Sequence, residues 1–103
     1  MLFFTDHEAD TGGTRWPVEG RLQAFLDLDR PKRAGYIEYL LSPRGAVALI
    51  GMIFVERELR RHGIGAALMN ELRARHPRLR RYETPELLPD GRGFFAYYGP
   101  WRG

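Results

Sequence analysis

Strict alternation begins at Gly20: Leu22, Ala24, Leu26 and Leu28 interleave with Arg21, Gln23, Phe25, Asp27 and Asp29, as in a strand with one buried face. Residues 31–35 read as a turn. Tyr36 to Leu41 is again aromatic and aliphatic, and Ser42-Pro43-Arg44-Gly45 makes a second turn, so two antiparallel hairpin connections are predicted in succession. Ala46 to Val55 is almost wholly apolar and is expected to be a central strand covered on both faces. Gly51 interrupts it, which predicts a bulge near Gly51 to Ile53.

The period then lengthens. Ile64, Leu68 and Leu72 recur at four-residue spacing with Ala67 beside them, while Asn70, Glu71, Arg73 and Arg75 fall elsewhere. This predicts a helix over Ala67 to His76 with one apolar stripe, stopped by Pro77, with His76 as a favourable charge beside the last carbonyls. Leu79 to Thr84 is expected to return as a parallel strand through a right-handed crossover. Leu87 to Asp90 reads as loop and Gly91 to Gly99 as a short C-terminal helix. At the other end Leu2-Phe3-Phe4 is a short edge strand, and Asp6 to Gly13 has loop composition, leaving residues 1–19 poorly defined. The expected fold is α/β: an antiparallel meander, a strand-helix-strand crossover and a short terminal helix.

Composition narrows the class. A chain of 103 residues is read as one domain over 1–103, and 44% hydrophobic residues supply one core. The absence of cysteine excludes disulfides, thiolate metal sites and a cysteine nucleophile, and suits a cytoplasmic protein. No apolar run approaches the roughly twenty residues that cross a bilayer, and no secretory signal order opens the chain, so a soluble protein with no membrane partner is expected. Sixteen basic against 13 acidic residues give a net charge of +3, which attracts polyanions without choosing among coenzyme A, nucleic acid and an acidic partner. The acidic cluster at Asp6, Glu8 and Asp10 lacks the glycine and closing glutamate of a calcium loop, so no metal is expected; its other functional reading is contact with a cationic amine.

The chemistry concentrates in Arg60-Arg61-His62-Gly63-Ile64-Gly65-Ala66, between the apolar strand and the helix. Two glycines one residue apart let backbone approach a ligand, and the first N–H groups of the following helix point outward unpaired. With two arginines and a histidine beside it, such a turn is an anion cradle whose natural guest is a diphosphate. A dinucleotide fingerprint would need a small residue where Leu68 stands, and a nucleoside-triphosphate loop needs a lysine, whereas the only lysine is Lys32.

What remains, Arg60-x-x-Gly63-x-Gly65 with Val55 five residues before the arginine, resembles the acyl-coenzyme A signature of the GNAT superfamily of N-acetyltransferases; Arg57 stands where that family often has proline. The resemblance runs from about Gly20 to Gly99. It implies that acetyl-coenzyme A, or another acyl-coenzyme A, lies along Ile53, Phe54 and Val55, whose backbone pairs with the pantetheine amides. It also implies that Arg60, Arg61, His62, Gly63, Ile64, Gly65 and Ala66 hold the diphosphate. The family's frequent thiolate-protonating tyrosine falls at Phe95, which has no hydroxyl, so the role passes to Tyr98 one turn later or to no side chain. A base must take the proton of an attacking amine, directly or through water; a carboxylate is the obvious type, and Glu38 and Glu83 are the candidates.

Two family helices after the first strand and two strands after the last helix have no counterpart in this sequence. A non-catalytic acyl-coenzyme A binding or regulatory module is therefore the alternative to an N-acetyltransferase acting on a primary amine, and a small basic nucleic-acid binder is a third reading. The strand at Leu79 to Thr84 lacks a neighbour, and Phe94, Phe95, Tyr97, Tyr98 and Trp101 crowd the chain end, so a homodimer is expected, the alternative being that Leu2 to Phe4 folds over that edge.

Overall fold

Four antiparallel strands and one short parallel strand form a single sheet in the order β1-β2-β3-β4-β5, in a computed structural model that describes residues 2–27, 29–85 and 89–101, the last segment as backbone only over 89–92. The strands are β1 Leu2–Asp10, β2 Val18–Leu26, β3 Lys32–Leu41, β4 Val47–Val55 and β5 Arg81–Glu83, with helix α1 Ile64–Arg75 between β4 and β5 and helix α2 Pro89–Tyr98 after β5. The mixed α/β architecture and both hairpins follow the alternation in the sequence. Leu28 and Leu87 lie outside the described residues, and Pro89 and Asp90, read above as loop, belong to α2.

The N-terminal segment departs most from expectation. Residues 6–10 are strand, not loop, because β1 pairs with β2 over its whole length, from Leu2 opposite Leu26 to Asp10 opposite Val18. The polar side chains that gave this stretch its loop composition have partners across the sheet. Tyr39 on β3 lies flat over Gly20 on β2, where an added Cβ would collide with its ring. Its hydroxyl thus reaches Asp6 at 2.7 Å and Glu8 at 3.0 Å on β1. Residues 11–17 then close a hairpin directly onto β2, with the Thr11 N–H donating to Pro17 O.

One face of the sheet holds the core. Leu22, Ala24, Ile37, Ala48 and Ile50 are fully buried against Leu68, Met69 and Leu72 of α1, so the apolar stripe of that helix does what its spacing implied. The opposite face has no helix over it among the described residues. Its side chains pair across strands instead: Phe3 stacks on Phe25 at 5.4 Å and Tyr36 meets Phe54 at 5.5 Å, with the Arg21 guanidinium 4.6 Å above the Tyr36 ring. The expectation that Ala46 to Val55 is covered on both faces therefore fails. Leu49, Met52 and Phe54 remain half-buried for want of a second layer.

The aromatic C-terminal end is more self-contained than its composition implied. Tyr82 is surrounded by Phe95 at 5.2 Å, Tyr98 at 6.1 Å and Trp101 at 4.9 Å, and its hydroxyl donates to Gly99 O. Burial, and then the neighbouring Tyr98, push the Tyr82 hydroxyl pKa upward. Of the large hydrophobic side chains described, Tyr97 is the one left exposed. Leu2 to Phe4 does not cover β5, because β1 occupies the opposite edge of the sheet.

Candidate acyl-coenzyme A cleft and acceptor groove

Two irregularities in β4 create the site. The first is a bulge: Glu38 pairs with Met52 and Tyr39 with Ile50, so Gly51 is an extra residue without a partner on β3. Because of it Ile50 and Ile53, three residues apart, both face the core. The second is an early separation from β5, which pairs with β4 only at Val47, Ala48 and Leu49. From Ile50 to Val55 the β5-side edge of β4 therefore presents backbone donors and acceptors to no strand among the described residues. The bulge falls where the glycine in the apolar run placed it.

The chain leaves β4 through a 3-10 turn, Arg57–Leu59, and enters the glycine loop. Arg60 is drawn back toward the strand, its Nε donating to Val55 O at 3.2 Å. Arg61 and Gly63 take left-handed backbone angles, φ 68° and 79°, and Gly63 is the N-cap of α1. The first helical bond runs from Ala67 N–H to Gly63 O, which leaves the N–H groups of Ile64, Gly65 and Ala66 at an open helix end. A side-chain carbon added at Gly63 would meet nothing within 4 Å, and Arg61 and His62 are exposed around it. These residues fit a bound diphosphate.

Gly65 has a packing role besides the one its motif position implied. It is buried, and an added Cβ would come within 2.6 Å of the Phe94 ring. Its small size lets α2 settle on the first turn of α1. Replacing it with alanine is expected to displace Phe94 and cost about 1–3 kcal/mol of stability by overpacking; chemical denaturation of Gly65→Ala reads this, and an unchanged midpoint would show that the ring yields freely.

Tyr98 bridges the two helices. Its hydroxyl donates to Asn70 Oδ1 at 2.7 Å and accepts from Trp101 Nε1 at 2.9 Å, and its ring stacks on Phe94 at 5.3 Å. Phe95 is buried against Tyr82 as a core residue.

On the open face of the sheet, a groove of about 430 Å³ is lined by His7, Glu19, Arg21, Glu38, Leu49 and the bulge glycine Gly51, among others. Glu38 is half-exposed in it and hydrogen-bonded to Arg21, which in turn stacks on Tyr36. Glu83 lies outside this lining, on β5 beside Arg81 at 3.3 Å. The structure thus brings Glu38, and not Glu83, to the bulge. Arg21, His7 and Glu19 were not singled out from the sequence, because only strand register sets them beside Glu38.

A splayed, bulged strand leading into a glycine-rich helix N-terminus defines an acyltransferase-type α/β fold. The sequence profile of the Acetyltransferase (GNAT) family matches residues 3–95, and the chain belongs to that family. The match reaches back to β1, further than the span from Gly20 read in the sequence. Among solved structures, a nourseothricin acetyltransferase superposes with a TM-score of 0.61 at 18% identity, over 95% of this chain and 71% of that one. A GNAT-family acetyltransferase of Streptococcus pneumoniae TIGR4 gives 0.54 at 16% identity, over 92% of this chain and 85% of its own. No curated protein matches the sequence.

Proposed function

We propose that the protein is an N-acetyltransferase that moves the acetyl group of acetyl-coenzyme A to a primary amine by direct attack. The observation that carries this reading is the unpaired edge of β4 from Ile50 to Val55, running from a bulge beside Glu38 to the open N-terminus of α1. In it, Ile53, Phe54 and Val55 align the pantetheine arm by backbone hydrogen bonds, and Arg60, Arg61, His62, Gly63, Ile64, Gly65 and Ala66 surround the diphosphate, Gly65 through its backbone N–H alone. Bound acetyl-coenzyme A supplies the activated acyl group. The protein contributes positioning, since holding amine and thioester in line replaces a bimolecular encounter. It also contributes strand N–H groups that polarise the carbonyl under attack. Glu38, anchored by Arg21 in the groove, receives the amine proton directly or through water, with Glu83 the second candidate.

Tyr98 is assigned the proton returned to the departing thiolate, its O–H resting meanwhile on Asn70. Tyr98→Phe is then expected to lower kcat with little change in acetyl-coenzyme A affinity, because only the hydroxyl is removed. A fall in melting temperature with undiminished kcat would make Tyr98 a helix brace and leave protonation to solvent.

Among the described residues no helix is long and apolar enough to cross a membrane, and a cytoplasmic protein is the reading adopted. We also propose a homodimer, supported by the half-buried apolar side chains of the open sheet face and by the position of β5 at the sheet edge. Sedimentation at micromolar concentration is expected to give twice the chain mass; a monomer that unfolds cooperatively would end this part of the proposal.

Thiol release from acetyl-coenzyme A with polyamines, amino acids, lysine peptides and nourseothricin tests the whole reading. Nourseothricin is included because a structural neighbour is its acetyltransferase. Release dependent on one of these amines is expected. Binding of acyl-coenzyme A without release for any of them would favour a non-catalytic module, and salt-sensitive nucleic-acid binding without it would favour the basic-binder reading.

A further inference from the structure

We infer that Asp6, Glu8 and His76 form a binding site for a divalent transition-metal ion of the zinc type, at the end of α1 remote from the glycine loop. The three come from two elements: Asp6 and Glu8 project from alternate positions of β1 on the core face, and His76 is the C-cap of α1. His76 Nε2 lies 3.5 Å from Glu8 Oε2 and 3.8 Å from Asp6 Oδ2, and one ligand atom of each residue falls within 4.8 Å of the others. A charge-assisted N–H···O bond would be about 2.7–2.9 Å, so these separations are too long for the imidazole to be hydrogen-bonded to either carboxylate. They are close to the roughly 3.3–3.6 Å edge of a tetrahedron whose nitrogen and oxygen ligands stand about 2.0–2.2 Å from a central ion.

A second observation is independent of the spacing. His76 Nε2 is buried from solvent and has no hydrogen-bond partner, although it faces two carboxylates. A ring nitrogen in that position is expected to be paired, and a cation between it and the carboxylates satisfies all three groups at once. Arg75, from the same helix end, is directed elsewhere, to Glu71 and to Phe4 O. The outer layer is also built. Tyr39, 2% exposed, donates toward Asp6 Oδ1 at 2.7 Å and lies 2.9 Å from Asp6 Oδ2 and 3.0 Å from Glu8 Oε2, holding the two carboxylates side by side as hydrogen bonds to metal-ligating carboxylates do. Glu8 is partly open to solvent, which gives an ion a route in and leaves a position for water. One imidazole and two carboxylates suit zinc or a neighbouring first-row ion better than magnesium, which prefers oxygen alone. Bound there, the ion ties edge strand β1 to the end of α1, reinforcing the link that Arg75 makes to the Phe4 carbonyl.

The test is zinc titration of the metal-free protein by calorimetry and thermal melting, with magnesium as comparison. One zinc per chain and a rise in melting temperature are expected, with no such rise for magnesium. His76→Gln and Asp6→Asn, both close in shape to the originals, are each expected to weaken zinc binding at least tenfold, whereas His7→Gln, on the other face of β1, retains it. Absence of stoichiometric zinc binding would overturn the site, as would binding that survives both substitutions in folded protein. Stabilisation on mild acidification with no response to zinc would do so too, because a protonated His76 would then suffice. Should His76→Gln fail to fold, movement of the His76 ring nitrogen resonances of the wild-type protein on zinc addition decides the question.

Discussion

Glu38→Gln is expected to lower kcat by about 10²–10⁴-fold, the usual contribution of a positioned proton acceptor, while leaving the affinity for acetyl-coenzyme A unchanged. The substitution keeps shape and hydrogen-bonding capacity toward Arg21 and removes only the basicity. Glu38 sits opposite Met52, next to the bulge at Gly51, on the face with the groove. Steady-state kinetics on Glu38→Gln and Glu83→Gln decide between the two carboxylates. The larger loss in Glu83→Gln would move the proton acceptor to β5, where Arg81 now faces it.

Gly63→Asp is the strongest expected disruption of cofactor binding. At this N-cap the side chain has open space, and aspartate tolerates the left-handed angle of φ 79° better than most residues. Its carboxylate accepts hydrogen bonds from the same first-turn N–H groups that are offered to the diphosphate, and it repels the phosphates as well. Loss of two charge-assisted hydrogen bonds corresponds to about 3–6 kcal/mol, or about 10²–10⁴-fold in affinity. Melting temperature should fall modestly without loss of the fold, since a residue other than glycine is strained at this angle. Isothermal titration with coenzyme A gives the answer, and undiminished affinity in this folded variant would remove the diphosphate from the end of α1. The motif's second glycine is a poorer probe, because a side chain at Gly65 strikes Phe94 and confounds binding with folding.

Local periodicity carried much of the fold. Alternation at Leu22 and Ala24 fixed which face of β2 is buried, the four-residue spacing of Ile64, Leu68 and Leu72 fixed α1, and Gly51 marked the bulge, because each depends on neighbours within a few residues. The arginine-glycine turn before α1 was legible for the same reason, being a short run of backbone with its charges alongside. The end of that legibility is visible at Gly65, whose motif position is clear in the sequence but whose partner, Phe94, is 29 residues away.

Tertiary structure decided everything that depends on register between distant strands. Asp6 to Asp10 has the composition of a loop, and it becomes strand because nine consecutive pairings with β2 outweigh weak local propensity. No pattern in the chain links Asp6 to Tyr39 or to His76; the link requires Gly20 to lie beneath the Tyr39 ring and α1 to end over β1. In the same way Arg21 and Glu38 are 17 residues apart in the sequence and become partners because β2 and β3 place them opposite one another. Sequence by itself determined β2 to β4, α1 and the place of the arginine-glycine turn, since their causes are local sterics and periodic burial. The groove on the open face, the pairing of Glu38 and the carboxylate–histidine cluster were settled by the sheet, because hydrogen-bonded register determines which side chains of separate strands meet.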